Sequence, residues 1–127
     1  MGRYGIDWNK SEEGLTEEDY NTILTETSKI INEKIVEKKE LAIAFYDRGV
    51  FFMKKGDYQQ AVSDFSSAAE LRSDHSATYH NLGLSLYILG IHIDSLINFR
   101  KAFEIDPEDR NTQKWINFIL NLNENLI

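Results

Sequence analysis

The sequence contains no cysteine and only one proline among its 127 residues. The lack of cysteine excludes disulfide bonds, thiol catalysis and thiolate metal sites. One proline and seven glycines leave few chain breakers, which favours helices over many short strands. Positive charge is also scarce, since 14 basic against 21 acidic residues give a net charge of −7. Without a cluster of lysine and arginine, we expect no nucleic-acid partner.

Long hydrophobic runs are missing as well. No segment approaches the roughly 20 apolar residues that span a bilayer, and the first residues lack the apolar core of a signal peptide. We therefore expect a cytoplasmic protein with no membrane association. A chain of 127 residues is long enough for one domain with a substantial hydrophobic core.

Residues that could carry chemistry are few. The histidines are His75, His80 and His92, and none has a second ligand at metal-binding spacing. The glycines do not form a phosphate-binding loop of the GxGxxG or GxxxxGK type. We therefore expect no catalytic residues, no metal, no cofactor and no enzymatic activity.

The most informative feature is an internal repeat with a period of 34 residues. At this shift Gly49 falls on Gly83, and Gly56 falls on Gly90. Aromatic and small side chains coincide at the same offset: Phe45 with Tyr79, Phe65 with Phe99, and Ala68 with Ala102. A fixed period of this length is typical of helical repeat proteins.

The first copy is predicted to form two helices joined by a tight turn. Apolar spacing predicts a helix over 41–54, which Gly56 ends with a left-handed cap. Asp57 is predicted to cap the following helix, and Gln60 lies at the spacing of a capping box.

The second copy repeats this arrangement. Helices are predicted over 76–89 and 93–105. Asp106 followed by Pro107 predicts the beginning of one more helix, because proline is favoured in a first helical turn.

These two copies resemble the tetratricopeptide repeat, over about residues 41 to 108. The resemblance rests on the aromatic, glycine and alanine positions above and on the segment "KGDY" of the first copy. It implies an all-α fold, an α-solenoid of antiparallel helix hairpins. The expected organisation is an irregular segment 1–15, an N-terminal helix 16–40, repeat 1 over 41–75, repeat 2 over 76–107 and a C-terminal capping helix 108–127.

Gly49 is an anomaly inside its helix, because glycine costs about 1 kcal/mol there relative to alanine. We interpret Gly49, and with it Gly83, as the point where the two helices of a repeat cross closely. A side chain at either position would hold the helices apart.

The resemblance implies that the first helix of each repeat lines a concave groove. Such a surface suits an apolar or amphipathic peptide of a protein partner, as in an adaptor or co-chaperone-like scaffold. Alternatively, the N-terminal helix or a partner subunit fills the groove. The residues expected to line it are Tyr46, Asp47, Val50, Met53, His80, Asn81, Leu84 and Tyr87.

One subtype of the family holds a C-terminal carboxylate in a clamp of Lys, Asn, Asn, Lys and Arg. The corresponding positions here are Tyr46, Val50, Asn81, Asn111 and Trp115. Only Asn81 matches and no cation is present, so we do not expect a carboxylate clamp.

The last predicted helix has apolar residues over more than half of its circumference, which is wider than one buried face needs. We favour self-association through that helix; the alternatives are that Phe118 and Leu122 stay exposed, or that the N-terminal segment folds over the helix. A structural homodimer with an internally filled groove is therefore one alternative function, and a dedicated chaperone for an apolar client segment is another. The candidate dimer surface is Trp115, Phe118, Ile119 and Leu122.

Overall fold

The computed structural model describes residues 2–7, 14–33 and 37–125, and within them it is all-α, with no strand. A 3-10 turn, Arg3–Gly5, precedes the helices. The helices are α1 Glu17–Glu33, α2 Lys38–Lys54, α3 Tyr58–Leu71, α4 Ser76–Ile88, α5 His92–Ile105 and α6 Arg110–Asn125.

The helices pack in chain order. The most extensive contacts join α2 to α3 and α4 to α5, which are the two hairpins, while α1 packs on α2, α3 on α4 and α5 on α6. Each helix therefore meets mainly its neighbours along the chain, as in a solenoid. This confirms the predicted all-α solenoid of helix hairpins.

Both hairpin turns end their first helix in the same way. Gly56 and Gly90 each have φ of +82°, a conformation in which a side chain is strained. The Gly56 N–H donates to the Met53 carbonyl and the Asp57 N–H to the Phe52 carbonyl, which is the Schellman pattern. The Asp57 side chain then accepts the Gln60 N–H. The predicted left-handed cap and the Asp57 cap are confirmed.

The glycines inside α2 and α4 lie at close helix crossings, as predicted. A Cβ atom built on Gly49 would lie 2.8 Å from Cε1 of Phe65, and one on Gly83 would lie 3.0 Å from the Phe99 ring. Both phenylalanines are fully buried, so neither ring can move into solvent. Glycine is therefore a spacer in each repeat, and close packing offsets its helix penalty.

The segment predicted as one N-terminal helix over 16–40 is divided. The structure has α1 over Glu17–Glu33, an extended backbone at Glu37, and α2 from Lys38. No glycine or proline marks this break in the sequence. The helix must end because Ile23 and Thr27 are buried where α1 packs on α2, which a continuous helix could not achieve.

The last helix begins later than Asp106 and Pro107 predict. Asp106 accepts the Glu108 N–H within a turn, and α6 begins at Arg110. The capping residue is Asp109, which accepts hydrogen bonds from the N–H and the hydroxyl of Thr112. The helix is therefore capped by Asp109 and not by Asp106. Thr112, which bonds to Asp109, is fully buried.

Candidate protein-binding groove

Asp47, a predicted groove residue on α2, is covered by the N-terminal segment of the chain. Arg3 donates two hydrogen bonds to its carboxylate, at 2.9 and 3.0 Å, and the Tyr4 hydroxyl donates a third at 2.7 Å. Only 5% of Asp47 remains exposed. This part of the predicted groove is therefore occupied by the chain itself, through residues that lie more than 40 positions away in sequence.

An apolar anchor holds the N-terminal segment in place. Ile6 is buried in a cluster with Ile23 of α1 and Phe51 of α2. Burial and the hydrogen bond to Asp47 raise the pKa of Tyr4 above its ordinary value, which keeps the hydroxyl protonated as a donor. The sequence suggested filling by the N-terminal helix, whereas the segment on Asp47 is the short turn before that helix.

The other predicted groove residues of α2 are half-buried between the repeats. Tyr46, Val50 and Met53 pack against the cluster that contains Leu82 and Leu86 of α4. The Tyr46 hydroxyl accepts a hydrogen bond of 3.2 Å from the Asn81 amide. Burial is the main cause that raises the pKa of Tyr46. These residues therefore join α2 to α4 in addition to bordering the concave face.

His80 and Tyr87 join α4 to α6. Nδ1 of His80 lies 2.8 Å from the Thr112 hydroxyl. The Tyr87 ring stacks on His92 at 5.1 Å between centroids, and it contacts the rings of Trp115 at 5.1 Å and Phe118 at 5.8 Å. Two predicted groove residues of α4, His80 and Tyr87, therefore contact α6 directly.

The burial of His80 predicts a dependence of stability on pH. Burial lowers the pKa of His80, outweighing the opposite effect of the Asp109 carboxylate. The unfolded chain therefore binds a proton near pH 6.5 that the folded chain binds only at lower pH. This contribution to stability is complete above about pH 6.5 and is lost as the pH falls through the folded-state pKa.

We expect the melting temperature to fall between about pH 7 and pH 5, and to fall less in His80→Gln. Burial also lowers the pKa of His75, so His75 accounts for part of the fall in melting temperature that remains in the variant. Calorimetry of both proteins at the two pH values measures this. An equal fall in wild type and variant would contradict it.

An open cavity lies on α6, on the side that faces Tyr87. Its volume is about 290 Å³, and its walls are mostly apolar. Trp115 contacts Tyr87, whereas Phe118 keeps 46% of its surface exposed. The residues that line the cavity are Asn111, Lys114, Trp115 and Phe118.

These α6 residues continue the groove by one further repeat period. Adding 34 to His80, Asn81 and Leu84 gives Lys114, Trp115 and Phe118, so α6 occupies the place of the first helix of a third repeat. The sequence assigned this helix as a cap and compared only Asn111 and Trp115 with groove positions, in the test for a carboxylate clamp. A full second shift of 34 residues adds Lys114 and Phe118 to the row.

The candidate dimer surface on α6 is largely turned inward. Ile119 is fully buried, and the Trp115 ring stacks on Phe99 at 5.7 Å with the ring planes 4° apart. Leu122 is half-buried, and Phe118 is the most exposed of the four. Ile119 therefore belongs to the core of the chain and is removed from the predicted surface, because α6 packs closely on α5.

A smaller cavity borders the other end of the concave face. Its volume is about 190 Å³, and Arg3, Tyr46 and His75 are among its walls. Nowhere in residues 2–7, 14–33 and 37–125 do three His, Cys, Asp or Glu side chains converge as a metal site would require. Over the same residues, no helix has the length and apolar character needed to cross a membrane.

Comparisons with known proteins agree with the repeat. The tetratricopeptide-repeat family model matches residues 42–75. DnaJ homolog subfamily C member 3 of Mus musculus is 29% identical over 94 residues, which cover 72% of this chain and 18% of that protein. Superkiller complex protein 3 of Mus musculus is 27% identical over 110 residues, 83% of this chain and 7% of that protein. The chain thus spans less than a fifth of the length of these relatives.

A solved structure has the same fold. The TPR domain of Arabidopsis OM64 superimposes with a TM-score of 0.71 at 17% identity, covering 80% of this chain and 81% of that domain. The matched repeat begins at Ala42, so Gly49 and Phe65 lie inside it. The helix hairpins, their glycine crossings and both comparisons lead to one conclusion. Residues 42–75 match the tetratricopeptide repeat, and the chain has the fold of a tetratricopeptide-repeat domain.

Proposed function

We propose that this chain is a protein-interaction module that binds an apolar peptide or an amphipathic helix of a partner at the α4–α6 end of its concave groove. The observation that carries the proposal is the open apolar cavity on α6. It lies where the repeat period continues the row of groove positions from α4. Cavities with apolar walls and a few polar groups are typical binding sites.

The chemistry of this end of the groove suits one inserted apolar side chain. Phe118 and the half-buried Leu84 offer aliphatic and aromatic surface, and the Trp115 ring adds a rigid wall. Asn111 and Lys114 stand beside it and can hydrogen-bond to peptide carbonyls or to an acidic side chain of the partner.

A partner's C-terminal carboxylate is a poorer fit. The Asn81 amide, the one clamp position that matches, donates to Tyr46 within the chain. At the opposite end of the groove, the Arg3 guanidinium is already paired with the Asp47 carboxylate through two hydrogen bonds. An apolar anchor therefore explains the observed surface better than a carboxylate does.

The likeness to DnaJ homolog subfamily C member 3 supports a co-chaperone-like form of this proposal. The match covers 18% of that protein, so it concerns the repeat region alone. In this form, the groove would bind a client or a partner protein, and the chain would catalyse no reaction.

Phe118→Ser is expected to weaken peptide binding by about 10- to 100-fold, because burying a phenylalanine side chain contributes about 1.5–3 kcal/mol. The probes are peptides selected from a random display library on the wild-type chain, synthesised with a fluorophore and titrated by fluorescence polarisation.

Ile97→Ser is the matched control. Ile97 and Phe118 are both 46% exposed, but Ile97 lies on α5 and is not a wall of the cavity. The selected peptides should bind this variant like the wild type. If they bind Phe118→Ser equally well, or if the library yields no binding peptide, the proposal is wrong.

A further inference from the structure

Repeat 2 exposes an unusual amount of apolar surface around the α4–α5 turn. Five large apolar side chains there have between 36% and 73% of their surface exposed. Ile93 and Ile97 lie one helical turn apart on α5 and so share a face. The remaining three are at the turn itself. The five residues, called here the isoleucine patch, are Ile88, Leu89, Ile91, Ile93 and Ile97.

Repeat 1 shows that the fold does not require apolar residues at these positions. Its hairpin turn has the same backbone, with φ of +82° at both Gly56 and Gly90. At the five corresponding positions it carries only polar side chains, and all five are exposed. These are Lys54, Lys55, Asp57, Gln59 and Ser63.

The patch therefore calls for an explanation outside the packing of the chain. Apolar patches of several hundred Å² on a protein surface often mark contact sites. Within one protein, the same surface positions are polar in one repeat and apolar in the next. Local secondary structure cannot explain this difference, because both hairpins have the same turn geometry.

We infer that the isoleucine patch is the contact surface of a homodimer, in which the patch of one copy meets the same patch of a second copy. Such a two-fold contact joins two copies of the same surface, so a surface with charges of one sign would repel itself. From Ser76 to Ile93 the sequence has no Asp, Glu, Lys or Arg. Asp94 lies between Ile93 and Ile97, but the turn itself adds no charge, so in a chain of net charge −7 the repulsion at this surface is small.

The size of the patch fits a reversible dimer. The five side chains expose on the order of 400 Å² of apolar surface per copy. Two patches with their polar rims then approach the roughly 1,200 Å² at which specific interfaces begin. We therefore expect a dissociation constant on the order of 10–100 μM.

The patch lies apart from the groove proposed for peptide binding. None of its five residues lines either cavity. It also differs from the dimer surface that the sequence suggested on α6, where Ile119 is buried within the chain. Dimerisation and peptide binding can therefore be tested independently.

The test is sedimentation velocity on the full chain from about 1 to about 500 μM, a range that brackets the expected dissociation constant. The wild type should convert from monomer to dimer. The double variant Ile93→Gln, Ile97→Ser carries the residues that repeat 1 has at the same positions, so it should fold. Its dissociation constant should be at least about tenfold higher.

Phe118→Ser is the matched control, since Phe118 and Ile97 are equally exposed; it should dimerise like the wild type. Raising NaCl from about 0.05 to about 0.5 M should strengthen the dimer, because salt screens the repulsion between two acidic copies. The inference is overturned if the wild type stays monomeric throughout. It is also overturned if Phe118→Ser abolishes the dimer while the double variant keeps it, or if salt weakens the dimer.

Discussion

Gly49→Leu is expected to destabilise the chain by about 3 kcal/mol or more, because it overpacks the crossing of α2 and α3. The first added atom alone would lie 2.8 Å from Cε1 of Phe65. Phe65 has 0% of its surface exposed, so its ring cannot turn aside into solvent. Leucine improves the helix propensity of α2 by about 0.8 kcal/mol relative to glycine, which is too little to offset the clash.

Denaturant unfolding followed by circular dichroism measures this loss. Gln59→Leu is the control, since it adds leucine at an exposed position of the same repeat and should change stability by less than about 0.5 kcal/mol. The combination of Gly49→Ala with Phe65→Leu should lose less than the sum of its two single changes, because the smaller side chain leaves room for the new methyl group. An unchanged midpoint for Gly49→Leu would contradict the close crossing.

Arg48→Met is expected to cost about 3–5 kcal/mol, since it leaves a buried carboxylate without its partner. Arg48 donates two hydrogen bonds to Asp64, at 2.7 and 2.8 Å, and only 2% of the Asp64 side chain is exposed. The hydrogen bonds to Asp64 raise the pKa of Arg48, so Arg48 stays charged at any ordinary pH. This pair joins α2 to α3 beside the glycine crossing.

The double variant Arg48→Met, Asp64→Leu separates the lost pair from the unpaired charge. Replacing both partners by apolar groups removes the carboxylate as well, so the double variant should be more stable than Arg48→Met alone. Methionine retains contact with Phe45 and Phe52, whose rings lie 5.8 and 5.9 Å from the guanidinium carbon. Equal losses in the single and double variants would show that packing, and not the buried charge, dominates.

The features that the sequence predicted well are those with a local or periodic signal. The left-handed caps at Gly56 and Gly90 follow from backbone geometry within a few residues. Gly49 and Gly83 became interpretable because the shift of 34 residues pairs them. In both cases the physical cause lies within one hairpin.

The groove could be predicted only in part. The positions of Gly49 and Gly83 identified which faces of α2 and α4 border the groove. They did not identify which segment packs against each face. Asp47 meets Arg3, 44 residues away, and His80 meets Thr112, 32 residues away. Arg3 lies outside the repeat pattern, so no periodic signal reports its contact with Asp47. Thr112 lies one period after Thr78, but the shift alone does not report which side chain it contacts.

The sequence by itself determined the repeat, the glycine crossings, the hairpin turns and the apolar character of the isoleucine patch. Only the tertiary structure decided that the N-terminal turn covers Asp47, that Ile119 is internal, and that the cavity beside Phe118 stays open. The reason is that turns and crossings depend on dihedral angles and volumes within one hairpin, which the residues there set directly. The exposure of a side chain depends instead on which distant segments compete for the same surface, and this is settled only when all the helices pack together.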